Sequence, residues 1–224
     1  MTPADVIALA GDGEAEAQAL YGQMLLDGMH VVRDARAGFG WFLRAAAQGH
    51  LMGLNMVGRC YDLGWGVRVD KARAAECYRI AAEQGLDWAM YNYATLLALG
   101  QGVAEDKPAA FGWFQKAARM GNAKAMNFVG SFHEDGWVVS RDMAKAARHY
   151  ARAAEGGDFR GCFNHARMLG DTGRTEEALT WIERAGATAT PVFLEKAAAF
   201  LDASPVPAFR ARGRAAIERG AAAC

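Results

Sequence analysis

Apolar positions recur along this chain at the i, i+3, i+4 spacing of an amphipathic helix, and the same stripe returns every 36 residues. Five segments, roughly 15–26, 51–63, 87–99, 123–135 and 159–170, each centre on a small residue: Gly22, Gly58, Ala94, Gly130 and Ala166. Larger side chains follow two and three positions later, from Met24 and Leu25 to Met168 and Leu169. Each segment predicts a helix, called A, whose small residue lets a neighbour approach closely. A second helix, B, carries Trp41-Phe42, Cys77-Tyr78, Trp113-Phe114 or His149-Tyr150, with paired alanines at 45–46, 81–82, 117–118 and 153–154. Aromatic bulk against alanine pairs is the pattern of tight helix packing.

The punctuation repeats as strictly as the stripes. Gly28, Gly64, Gly100 and Gly136 sit where helix A should end, because glycine takes a left-handed C′ conformation at low cost. Val31, Val67, Val103 and Val139 follow and plug the turn between the helices. Asp34, Asp70, Asp106 and Asp142 then start helix B as N-caps. Gly49, Gly85, Gly121 and Gly157 close it. Four columns in phase at one period indicate tandem copies of one helical hairpin, hence a solenoid.

A fifth unit is degenerate. Cys162–Arg167 still fits helix A, and Ala178, Trp181, Ile182 and Ala185 still fit helix B, but Asp171-Thr172-Gly173-Arg174 replaces the longer linker. Thr2-Pro3 reads as the cap and first turn of an N-terminal helix. The expected organisation is a capping helix over 1–12, five repeats over 13–188, and capping helices and a tail over 189–224. Together they form one continuous solenoid. The fold class is all-α: a right-handed α-α superhelix of stacked antiparallel helix pairs.

Charge narrows the function. Lys plus Arg and Asp plus Glu both total 25, so no global basic surface is available for nucleic acid. No stretch reaches the apolar length of a membrane span, and residues 1–17 lack a basic n-region. The expected location is the cytoplasm, with Cys60, Cys77, Cys162 and Cys224 reduced.

The full pattern, A-x4-G-x2-Y-x2-G-x-G-V-x2-D-x3-A-x2-W-[FY]-x2-A-A-x2-G, resembles the Sel-one-like repeat family, which is related to the tetratricopeptide repeats. The best copy runs from Gly53 to Gly85, with Gly58, Tyr61, Gly64-Trp65-Gly66-Val67, Asp70, Ala74, Tyr78, Ala81-Ala82 and Gly85; Cys77 replaces the usual Trp. The resemblance implies a non-enzymatic scaffold or adaptor. A cysteine-rich secreted branch is associated with penicillin binding and hydrolysis, so a hydrolase, β-lactamase-like or metal-dependent, is the alternative. That branch pairs cysteines in every repeat; here Cys162 has no partner Cys near Ala154. The chain is also similar to short bacterial members found with siderophore uptake systems, and that similarity implies an iron-uptake context.

No Walker loop, G-x-S-x-G, S-x-x-K or H-E-x-x-H occurs, and no catalytic residue, metal or cofactor is assigned. His133 and His149 occupy packing columns and His165 lies on the next helix A, and packing is a better reading than a metal cluster. Cys60 and Cys77 read as buried thiols rather than a redox pair. Trp65 and Trp137 are either an exposed interaction edge or folded over their own turns. By similarity to tetratricopeptide repeats, positions six and three before the small residue of helix A, and one after it, face a concave groove. The residues assigned there are Asn55, Arg59, Trp88, Tyr91, Asn127, Ser131, Phe163 and Arg167. Amides, guanidinium groups and rings along one face suit an extended protein or peptide segment. The identity of that partner and the oligomeric state are not legible in the chain.

Overall fold

The computed structural model describes residues 1–222, and those residues contain thirteen α-helices, one π-helical turn and no strand. The chain divides into two compact units, Met1–Trp113 and Phe114–Cys224. The first holds α1 (Pro3–Gly11), α2 (Ala15–Asp27), α3 (Ala35–Ala47), α4 (Leu51–Leu63), α5 (Lys71–Glu83), α6 (Asp87–Leu99) and the start of α7 (Lys107–Arg119). The second holds the rest of α7, then α8 (Ala123–Asp135), α9 (Met143–Glu155), α10 (Phe159–Asp171), α11 (Thr175–Thr188) and α12 (Pro191–Asp202). A π-helical turn over Phe209–Gly213 leads into α13 (Arg214–Ala222). Helices α2, α4, α6, α8 and α10 are the A helices; α3, α5, α7, α9 and α11 are the B helices. The fold class is the all-α solenoid of helix pairs that the periodicity predicts.

Both columns that frame the linker do what their chemistry dictates. Gly28, Gly64, Gly100 and Gly136 are left-handed, with φ between 62° and 76°, and each N–H donates to a carbonyl in the last turn of its A helix. The Asp column caps every B helix: Asp34, Asp70, Asp106 and Asp142 accept from Ala37, Arg73, Ala109 and Lys145 N–H groups at 2.8–3.0 Å. The same four residues donate their own N–H to the carbonyls of Leu25, Tyr61, Leu97 and His133. Each linker is thus tied at both ends to helix termini that would otherwise carry unsatisfied groups. The Val column is half-buried; Val67 packs on Leu26, Phe42, Met56, Val57 and Cys60, and Val103 on Ala74, Ala75, Tyr78 and Leu96.

The core is built from a ring laid on a glycine. A Cβ at Gly22 would stand 2.8 Å from the Phe42 ring, at Gly58 2.7 Å from the Tyr78 ring, and at Gly130 2.6 Å from the Tyr150 ring. Phe42, Tyr78 and Tyr150 are accordingly almost wholly buried, as are Ala45, Ala81, Ala82, Ala153 and Ala154 behind them. Burying one such ring contributes roughly 1.5–3 kcal/mol. Gly13 extends the second glycine column backwards by one repeat; it too has positive φ, before α2. At the C-terminal end the shortened linker forms a tight turn in which Thr172 Oγ1 donates to the Leu169 carbonyl at 2.9 Å. There α11 and α13 cross backbone on backbone at Gly186 and Gly220, over a core of Ile182, Leu201, Phe209 and Ile217.

Gly66 carries two constraints at once. Its φ is +70°, and a Cβ would lie 2.1 Å from the Ala35 carbonyl oxygen at the start of the preceding B helix. Gly85 has φ +97° but open space around it. Gly66→Ala should therefore cost about 3 kcal/mol or more, and Gly85→Ala about 1 kcal/mol, in urea denaturation. Equal losses would show that the linker does not press on α3.

Candidate functional site

The A helices present the residues that the sequence marks as recognition groups, but the three columns are not equivalent. Two of the residues three before the small residue, Asn55 and Asn127, face the next A helix. Asn55 and Asn127 are only 3 % and 4 % exposed. Asn55 Oδ1 accepts from Asn92 Nδ2 at 2.9 Å, and Asn127 Oδ1 accepts from Asn164 Nδ2 at 2.9 Å. Phe163, in the same column, is buried against Phe193 and Phe200 of α12, with ring centroids 5.5 Å apart in each case. Tyr91 is half-buried, and its carbonyl accepts from Thr95 Oγ1 at 2.9 Å.

The positions one after and six before the small residue are more open. Arg59 is half-buried and lays its guanidinium over the Trp65 ring at 4.8 Å. Trp88 is exposed. Ser131 and Arg167 join a continuous polar chain in the second unit. Arg167 donates through Nη1 to Asn164 Oδ1 at 2.8 Å and through Nη2 to Glu134 Oε1 at 2.6 Å. Tyr150 Oη donates to Glu134 Oε2 at 2.6 Å, and Ser131 Oγ lies 3.2 Å from the same hydroxyl. Burial by itself would raise the Glu134 carboxyl, yet the donors Arg167 and Tyr150 hold it below the usual carboxylate range. Burial, reinforced by Glu134, pushes Tyr150 up, so its hydroxyl remains a donor.

Sequence reasoning missed Asn92, Asn164, Glu134 and the hydroxyls of Tyr78 and Tyr150. A signal was present at twice the basic period. Asn55 and Asn127, Asp62 and Glu134, Tyr78 and Tyr150, Asn92 and Asn164 are pairs 72 residues apart. In the first unit Tyr78 Oη donates to Asp62 Oδ2 at 3.4 Å, and Lys71 pairs with the same carboxylate. Alternate repeats therefore share a polar seam.

The tryptophans divide. Trp65 folds back on the Phe42–Cys60 core under Arg59, whereas Trp137 is 57 % exposed. Among the described residues Cys60, Cys77 and Cys162 are free thiols; Cys60 and Cys162 are buried and pushed up to about 11 by that burial. Cys162 Sγ lies 3.7 Å from the Ala154 carbonyl. Cys224 lies outside the described residues. His133 and His149 stack at 5.8 Å between α8 and α9, and His165 meets the Trp181 ring edge-on. Among the described residues no group of three or more His, Cys, Asp or Glu could hold a metal ion. No described helix is long and apolar enough to cross a membrane.

The helix pairs, their glycine joints and their Asp-capped linkers coincide with the Sel1 repeat, which matches residues 15–50, 51–86, 89–122 and 123–158. The chain belongs to the Sel1 repeat family. The fifth pair, α10 and α11, lies beyond the matched segments. The Sel1 repeat protein from Oxalobacter formigenes is 25 % identical and superposes with a TM-score of 0.76 over 100 % of this chain and 91 % of that one. A protective antigen of uropathogenic Escherichia coli strains displaying an SLR fold is 26 % identical, with a TM-score of 0.72 over 100 % of this chain and 49 % of that one. The chitin synthase regulator SKT5 of Saccharomyces cerevisiae is 30 % identical over 133 residues, which is 58 % of this chain and 19 % of that protein. This Sel1 chain thus matches about a fifth of that curated relative's length.

The amide pairs of the Sel1 repeats yield a stability test. Truncating Asn55 or Asn127 leaves the facing amide short of a partner inside the seam, and each Asn→Ala change should cost about 1–3 kcal/mol in chemical denaturation. In a double-mutant cycle, Asn92→Ala should cost less in the Asn55→Ala background than alone. Full additivity would mean that the two amides do not stabilise one another.

Proposed function

We propose that the chain is a non-enzymatic adaptor that holds a segment of a partner protein on its A-helix face. One observation carries the reading: in the first unit Arg59, Trp88, Tyr91 and Thr95 lie on A helices and are exposed or half-buried, and in the second unit Ser131 and Arg167 are half-buried at the equivalent of Arg59 and Thr95. Aromatic and Arg side chains are the residue types that most often anchor protein interfaces. Asn55 and Asn127 serve the face from beneath, by fixing one A helix against the next, and Phe163 by packing α10 on α12. The relative named as a chitin synthase regulator supports a role exerted on another protein. The three free thiols support a reducing compartment such as the cytoplasm. The iron-uptake context and the hydrolase alternative rest on family resemblance alone, and no feature of the A-helix face favours either.

A photo-crosslinking amino acid placed in the native host tests the reading. At Trp88 it should trap one protein partner, and at Glu76, exposed on the B helix α5, it should trap none. Tyr91→Ala should then weaken that partner by about 1 kcal/mol or more while the helical circular dichroism is kept. Trapping from Trp137 alone would move the site to the linker edge and overturn the assignment.

A further inference from the structure

The formal charge of zero conceals two opposite halves. The first unit carries thirteen Asp and Glu against nine Lys and Arg, and the second carries twelve against sixteen. The A-helix faces differ in the same sense. Positions six and two before the small residue, and one and five after it, lie on one helical face by their spacing of four, three and four. In the first unit this face exposes Leu20, Met52, Leu63, Trp88 and Leu99, each between 38 % and 58 % accessible. Beside it, Leu20 and Asp27 share an open cavity of about 410 Å³ with Met1, Val6, Met24 and Met29.

The second unit supplies an internal control. At 72 residues' distance, Met52 is matched by Lys124, Leu63 by Asp135, Trp88 by Arg160 and Leu99 by Asp171. The repeat therefore accepts charges at all four positions, and packing of the helix pair does not demand apolar side chains there. Their presence in the first unit calls for another cause, and large apolar side chains exposed together on one helical face mark an interaction surface. Its own charges are mainly acidic. Asp27 lines the cavity, and Glu16 stays largely exposed while it contacts His50 at 2.8 Å. The basic residue of this face, Arg59, is laid over Trp65.

We propose that the A-helix face of the first unit binds an amphipathic segment that presents an aliphatic stripe flanked by Lys or Arg. The proposal rests on the adaptor reading and specifies where and to what chemistry it applies. Apolar contact supplies the affinity, and the acidic surroundings select for basic flanks and against acidic ones. Thioether side chains such as Met24, Met29 and Met52 adapt to varied aliphatic shapes.

The test uses the full chain and two fluorescent peptides of equal length, each with the same leucine stripe, one flanked by lysines and one by glutamates. Fluorescence anisotropy at 0.15 M salt should show the lysine peptide binding at least about tenfold more tightly. Met52→Lys with Leu63→Asp, the charges that the second unit carries, should weaken it by at least about tenfold with the thermal melt unchanged. Trp88→Arg, made separately, gives the same readout should the pair unfold the chain. Lys124→Met with Asp135→Leu should leave the affinity unaltered. If only the second-unit changes weaken binding, the inference fails and the adaptor reading stands. If neither pair changes binding, both fail. If sedimentation shows self-association that Met52→Lys with Leu63→Asp abolishes, the occupant is a second copy and the inference is overturned.

Discussion

A B-helix ring seated on a side-chain-free position of the A helix sets the spacing of every hairpin in which it occurs. Phe42 lies on Gly22, Tyr78 on Gly58 and Tyr150 on Gly130, each too close for a Cβ. The contact fixes how near the two helices come, and the Asp-capped, glycine-ended linker is cut to that distance. Interiors packed to crystal-like density tolerate little change at such a joint. The same residues reach beyond the core. The Tyr78 and Tyr150 hydroxyls extend to Asp62 and Glu134, and Glu134 in turn orients Arg167. Packing at the joint and geometry on the A-helix face are therefore one mechanical system.

Most of the fold was legible because each repeated residue answers a local physical demand. Glycine at the helix end, Asp at the next helix start and an aromatic ring opposite a small residue are local demands, and a 36-residue register displays them plainly. The chain's ends were harder to read. The π-helical turn at Phe209–Gly213 and the Gly186–Gly220 crossing depend on partners distant in sequence, and no column repeats them.

The candidate site was legible only in outline. Helical spacing places Arg59, Trp88 and Arg167 on the A helices, but it does not separate a side chain that looks outward from one that looks along the stack. Asn55 and Asn127 show the difference, since their polarity is consumed by Asn92 and Asn164. Buried amide pairs of this kind fix register at some cost in stability, as polar core positions do in coiled coils. The contrast between the two units, apolar against charged at equivalent positions, emerges only when the chain is compared with itself at the doubled period. Such a comparison separates what the repeat needs from what it merely permits, and the residue left over is the better guide to function.

Hydrogen–deuterium exchange of the full chain with and without its crosslinked partner protein tests the central claim most directly. The account predicts added protection in the A helices, strongest across α2, α4 and α6, with α3, α5 and α9 unchanged. Protection confined to the B helices, or to the linkers around Trp65 and Trp137, would contradict it.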